Sequence, residues 1–116
     1  MRECTIKREE REQMDIVRLD GALDSYSFPR LESVLTELRE NQRHRVVLDC
    51  KGLDYISSAA LGALIGFARR AREQQGDMKL VKLSPKIYNI VELLGFHKIL
   101  EIHSSVDEAV ARFEAG

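Results

Sequence analysis

The feature that most constrains this chain is a change of period. Val46-Val47-Leu48-Asp49 is a β-branched, apolar run with the composition of a strand buried on both faces. From Leu61 onward the apolar residues recur as Leu61, Leu64, Ile65 and Ala68, which is helical spacing. Between them stands Gly52-Leu53-Asp54-Tyr55-Ile56-Ser57-Ser58-Ala59-Ala60. A strand that feeds a helix in this way commits the chain to alternating units around a sheet with a parallel portion, joined by right-handed crossovers. It also puts Ser57 and Ser58 at the carboxyl end of a sheet, where a loop becomes a helix. Backbone N–H groups and the positive end of a helix dipole meet there, so the position accommodates an added phosphate or an anionic partner.

The remaining segments continue the alternation. Thr5-Ile6 and Met14 to Leu19 read as two short strands around a charged tip, Arg8-Glu9-Glu10-Arg11-Glu12, expected to be a solvated hairpin turn. Gly21 breaks the chain before a helix from about Pro29 to Glu40. Its apolar positions are Leu31, Val34, Leu35 and Leu38, and Ser27 or Asp24 is placed to cap it. The helix after the serines should end near Gln75-Gly76, with the glycine as left-handed cap. Met78 to Leu83 predicts a strand, Ser84-Pro85 opens a helix through Leu94 that Gly95 closes, Ile99 to Ile102 is a last short strand, and a terminal helix runs from Ser105 or Val106 to Phe113. The fold class is α/β: an N-terminal hairpin, then alternating strands and helices on a mixed sheet, in one domain over residues 1–116.

Composition bounds the function. With 116 residues of which 44% are hydrophobic, the chain can build one core and little more. Eighteen basic against nineteen acidic residues give a net charge of −1, which argues against direct nucleic-acid binding or a membrane surface. Cys4 and Cys50 offer neither a disulfide framework nor metal-ligand spacing, and no apolar run suits a membrane span or a signal peptide. A soluble cytoplasmic protein is the expectation, with a monomer favoured.

The candidate chemistry centres on the serines. Ser57 and Ser58 could simply cap the following helix. Ala59, Gly62, Ala63 and Gly66, however, form a small-residue stripe opposite the Leu61/Leu64/Ile65/Ala68 stripe, so this helix has two faces and needs two neighbours. The second neighbour is either another helix of the same domain or a partner protein brought close to the serines. Asp24 and Asp54 are the carboxylates expected near the hydroxyls, because loops at one end of a sheet converge; each could cap backbone amides or meet a partner's cationic surface. No G-x-S-x-G elbow surrounds the serines, and none of His44, His97 and His103 has the context of a catalytic base. Cys50, His97 and His103 lack metal-ligand spacing, the glycines form no phosphate cradle, and Arg69, Arg70 and Arg72 suit a helix C-terminus. The reading is a protein without metal or cofactor, and not an enzyme.

With Tyr55-Ile56-Ser57-Ser58-Ala59-Ala60-Leu61-Gly62 in place, the chain resembles the bacterial STAS-domain anti-sigma factor antagonists. Val17-Arg18-Leu19-Asp20-Gly21-Ala22-Leu23-Asp24 resembles the family's strand and Gly-x-Leu-Asp turn, Val46-Val47-Leu48-Asp49 its central strand, and Leu83-Ser84-Pro85 through Leu94-Gly95-Phe96-His97-Lys98-Ile99-Leu100 its late Ser-Pro helix and following turn. The resemblance implies a single STAS-like domain with helices mainly on one face. It also implies partner switching: the unmodified protein binds an anti-sigma factor that is also a serine kinase of the histidine-kinase-like ATPase type, and thereby releases a sigma factor. Phosphorylation of Ser58, with Ser57 as fallback, abolishes binding until a PP2C-type phosphatase reverses it. The implied contact residues are Asp24, Asp54, Tyr55, Ser57, Ser58, Ala59, Gly62, Ala63 and Gly66. The usual Asp-Ser-Ser-Gly-Leu motif is altered, with Ser57 at the aspartate, Ala59 at the second serine and Ala60 at the glycine. An alternative use of the same fold is as a subunit of a transport or signalling-scaffold complex without sigma-factor control.

Overall fold

The structure, a computed structural model, describes residues 3–115. Five strands form one sheet in sequence order: β1 (Thr5–Glu10), β2 (Asp15–Leu23), β3 (Arg45–Ile56), β4 (Asp77–Val81) and β5 (Glu101–His103). β1 pairs antiparallel with β2, and every later pairing is parallel, so the sheet is mixed as the alternation requires. The crossovers are α1 (Phe28–Glu40), α2 (Ser58–Glu73) and α3 (Pro85–Leu93), and α4 (Val106–Ala115) ends the chain.

The two-residue period of the strands sorts the core into two layers. Val17, Leu19, Val46, Leu48, Met78 and Leu80 face α1, α2 and α3, meeting Leu31, Leu35, Leu38, Leu61, Leu64, Ala68, Ile87 and Val91. Ile16, Val47 and Val81 point the other way, onto Val106, Ala109, Val110 and Phe113 of α4. Three helices on one face and one on the other explain why Val46 to Cys50 are all buried.

Several boundaries differ from the sequence reading. The charged tip is mostly strand: Arg8, Glu9 and Glu10 pair with Val17, Ile16 and Asp15, and the turn shrinks to residues 11–14, closed by Arg11 N–H donating to the Met14 carbonyl at 2.9 Å. Arg8, Glu9, Glu10 and Arg11 each find an opposite charge. Arg8 reaches Asp15 at 3.2 Å and Glu37 at 3.1 Å, Arg18 reaches Glu9 at 2.8 Å, and Arg43 completes the fully buried Asp15 carboxylate at 2.8 Å. A charged edge strand also resists pairing with another chain.

The left-handed residue after α2 is Gln75, with φ 64°, not Gly76. Gly76 is small for a different reason: a Cβ there would lie 2.0 Å from the His44 carbonyl oxygen. β4 stops at Val81 rather than Leu83 because Lys82 turns left-handed at φ 59°. The last strand starts at Glu101 rather than Ile99, since a 3-10 turn over Phe96–Lys98 takes the N–H groups of Ile99 and Leu100. Gly95 does close α3, at φ 75°.

The largest difference concerns Gly52 to Ile56, expected as loop and found as strand. β2 runs on to Leu23 and supplies a partner, so Gly21 pairs with Leu53, Ala22 with Tyr55 and Leu23 with Ile56. Two register shifts absorb extra residues of β3, one of them at Asp54. Bulges of this kind re-aim side chains next to sites.

Candidate functional site

β3 therefore delivers the serines without an intervening loop: Ile56 ends the strand, Ser57 caps and Ser58 is the first residue of α2. Ser57 is fixed three times over. Its N–H donates to the Leu23 carbonyl at 3.0 Å, its carbonyl accepts from Leu61 N–H at 3.0 Å, and its Oγ accepts from Ala60 N–H at 3.1 Å. The extended backbone at φ −77°, ψ 156° is the ordinary conformation of such a cap. Ser58 is exposed, and its hydroxyl has no hydrogen-bond partner among the described residues. Adjacent serines thus do separate jobs. One oxygen satisfies the helix, the other is left open to solvent at its positive end, where α2 carries no acidic residue in its first turn.

Asp24 stands one residue beyond Leu23, so the β2–α1 turn borders Ser57 through that backbone bond. Its carboxylate is turned into its own loop, accepting from Tyr26 N–H and Ser27 N–H, both at 3.0 Å. The Ser27 N–H is the stronger influence, and with the Tyr26 N–H it holds the Asp24 carboxyl below its ordinary range. Neither Ser27 nor Asp24 caps α1 by side chain as the sequence suggested; the Ser27 hydroxyl instead donates to the Ala22 carbonyl at 2.7 Å. The rigid turn presents Tyr26, which is 92% exposed. Sequence reasoning passed over Tyr26, although a tyrosine set between serines in a polar turn has no apolar neighbour to bury it. Asp54 is exposed at its bulge and Tyr55 is half-buried.

The small stripe of α2 lies open. Ala59 and Gly62 are exposed, Ala63 and Gly66 are half-buried, and a Cβ on Gly62 would meet nothing within 4 Å. At Gly66 the nearest atom to such a Cβ is a guanidinium nitrogen of Arg70, at 3.5 Å. At Ala59 and Gly62, packing against another helix of the domain does not account for this face, whereas Ala63 borders a groove shared with α1. The opposite stripe, from Leu61 to Ala71, is buried in the core.

Other reactive types are committed elsewhere. His103 sits between Glu101 at 2.6 Å and Glu108 at 3.0 Å, in a network with Lys79 and Arg112 that fastens α4 to β5. Burial pushes the thiols of Cys4 and Cys50 upward, which leaves both as core side chains. Arg72 binds Asp77 at 2.9 Å and the Ile99 carbonyl at 2.6 Å. Among the described residues, no helix is long and apolar enough to cross a membrane.

A parallel β–α junction with a capped first serine and an open second one, on a sheet of this order, can be set beside known proteins. Residues 5–109 match the STAS domain family. The chain belongs to that family. BtrV of Bordetella bronchiseptica, assigned by name to the anti-sigma factor antagonists, is 36% identical over 101 residues, which cover 87% of each chain. An anti-sigma factor antagonist from Mycobacterium paratuberculosis superposes with a TM-score of 0.86, covering 96% of this chain and 94% of that one at 19% identity. The Bacillus cell fate determinant SpoIIAA in its phosphorylated form superposes with a TM-score of 0.73, covering 93% and 98% at 17% identity. The fold is thus common to this chain and the two superposed structures.

Proposed function

We propose that this STAS domain is an anti-sigma factor antagonist that works by partner switching, a regulatory binding protein rather than an enzyme. In its unmodified form the face built from Asp24, Asp54, Tyr55, Ser57, Ser58 and the small stripe binds an anti-sigma factor, which is also a serine kinase of the histidine-kinase-like ATPase type, and a sigma factor is released. Phosphorylation of Ser58 ends that binding, and a PP2C-type phosphatase restores it. The observation that carries this reading is the division between the two serines: Ser57 Oγ holds the Ala60 N–H, while the Ser58 hydroxyl is exposed and unbonded among the described residues. The name of the BtrV relative agrees with it.

The chemistry of the switch is electrostatic. A phosphate brings about −1.5 to −2 charge. At Ser58 the helix end would stabilise that charge locally, so little refolding is needed. Together with Asp24, whose carboxyl is held ionised in the turn that borders Ser57, it would build up negative charge that a partner shaped for a neutral hydroxyl cannot desolvate cheaply. The test is calorimetric titration of the cognate anti-sigma factor with wild type, Ser58→Ala and Ser58→Asp, beside urea unfolding of each. Wild type and Ser58→Ala should bind, Ser58→Asp should not, and Ser58→Asp should change stability by less than about 1 kcal/mol. Equal binding by all three would reject the switch, and a stability loss several times larger would reassign the effect to unfolding.

A further inference from the structure

α1 and α2 follow the two neighbouring parallel strands β2 and β3, run in the same direction, and leave between them an open groove of about 750 Å³. Phe28 of α1 and Ala63 of the small stripe form its accessible apolar part, above Leu35 and Phe67, which are buried in the core. The groove and the serine face are therefore continuous through Ala63. At the end remote from Ser58 lie Arg39 and Arg70. Neither makes an ion pair among the described residues, whereas Arg8, Arg18, Arg43 and Arg72 are each held by a carboxylate. Of the acidic residues on the rim, Glu37 is already taken by Arg8 at 3.1 Å; Glu32 lies toward the serine end and Glu40 beside Arg39. The groove thus combines apolar side chains with two guanidiniums at one end that make no ion pair among the described residues, the geometry of a helix-in-groove site that accepts an acidic residue.

Size points the same way. A stable protein interface takes about 800 Å² from each partner. The exposed side of α2 from Ser58 to Gly66 is two to three turns, about 13 Å of helix, so an interface of that size extends past it onto the Asp24 turn and onto α1, into which that turn leads. We propose that the α1–α2 groove receives an amphipathic helix of the protein that binds the serine face, with its apolar side on Phe28 and Ala63 and an acidic residue reaching Arg39 and Arg70. This rests on the reading of the serine face as a protein-binding surface, and it adds a second, charge-selective contact to that surface. The groove fixes which partner is accepted, and Ser58 fixes when.

Photo-crosslinking separates the two. A benzophenone amino acid is placed singly at Ser33 in the groove, at Ala59 beside the serine, and at Ala111 on α4 across the sheet, all exposed positions, in the full chain within its native host. Ser33 and Ala59 should capture the same protein and Ala111 should not, and the peptide joined at Ser33 should be an amphipathic helix bearing Asp or Glu. With that protein purified, Arg39→Glu/Arg70→Glu should weaken binding at least about tenfold, and Lys at the captured acidic position should restore it. Arg39→Gln/Arg70→Gln should give an intermediate loss, and thermal unfolding of both variants confirms that the fold persists. Capture from Ala59 alone overturns the groove proposal and leaves the serine-face reading standing, whereas capture from neither overturns both. A basic peptide at Ser33, a second copy of this chain there, or unchanged affinity of the double variants also overturns the proposal.

Discussion

Ser57 and Ser84 open α2 and α3 with the same backbone, φ −77°, ψ 156° in one and φ −66°, ψ 158° in the other. Each hydroxyl accepts from the N–H three residues on, Ala60 at 3.1 Å and Ile87 at 3.2 Å. Both follow strands of the parallel portion, so both helix starts lie at the same end of the sheet. They part at the next residue. α3 continues with Pro85, which has no N–H to offer and nothing to modify. α2 continues with Ser58, exposed and unbonded among the described residues, beside the rigid Asp24 turn and ahead of a helix face made of Gly and Ala. A helix start alone is thus a structural element. It becomes a candidate switch when the capping duty is already met by one side chain and a second hydroxyl stands next to it.

If the two starts are mechanically equivalent, they should fail alike. The largest losses should come from the buried side chains behind them: Leu61 and Ile87 are 0% and 1% exposed, and Leu61→Ala and Ile87→Ala should each cost about 2–5 kcal/mol in urea unfolding. Removing the caps is milder, with Ser57→Ala and Ser84→Ala each expected to cost about 1 kcal/mol. A Ser57→Ala cost several times that of Ser84→Ala would show that Ser57 does more than cap. On the open face the sign reverses. Gly62→Ala meets no atom within 4 Å and should raise stability by about 0.5–1 kcal/mol in thermal unfolding, while leaving less room for a partner.

The smallest effect distinguishes the turn that only α2 has beside it. Asp24 titrates below its usual value of 3.8 in the folded chain, so its contribution is fully present above that value and disappears as pH falls through the lower, folded one. Asp24→Asn should therefore flatten the stability curve only below about pH 4. A difference that persists unchanged at neutral and acidic pH would mean that the charge is not what holds this turn.

Much of this comparison is readable in the sequence, for physical reasons that vary by element. The periods of Leu31 to Leu38 and Leu61 to Ala68 identify α1 and α2, because one buried stripe decides a helix, and Ser84-Pro85 and Gly95 mark both ends of α3 by local chemistry alone. Gly52 to Ile56 is different. Its strand depends on β2 reaching Leu23 alongside it, a long-range pairing to which no local propensity points. Arg8 and Glu9 look like part of a solvated tip until Asp15, Arg18 and Glu37 are seen to answer their charges from other elements. At the site, the serines and the small stripe are visible as residue types, but which serine caps is a matter of one register position. The groove between α1 and α2 needs both helices placed before Arg39 and Arg70 can be seen to face a common space.

The most direct test of the difference between the two helix starts is localisation of phosphate by tandem mass spectrometry. Wild type and Pro85→Ser are each incubated with the cognate kinase and ATP, the variant giving α3 the same pair of hydroxyls that α2 has. The expected result is one phosphate on Ser58 in both proteins and none at positions 84 or 85 of the variant. Phosphate on Ser57 with Ser58 unmodified, or modification at position 85 as readily as at Ser58, would contradict the account.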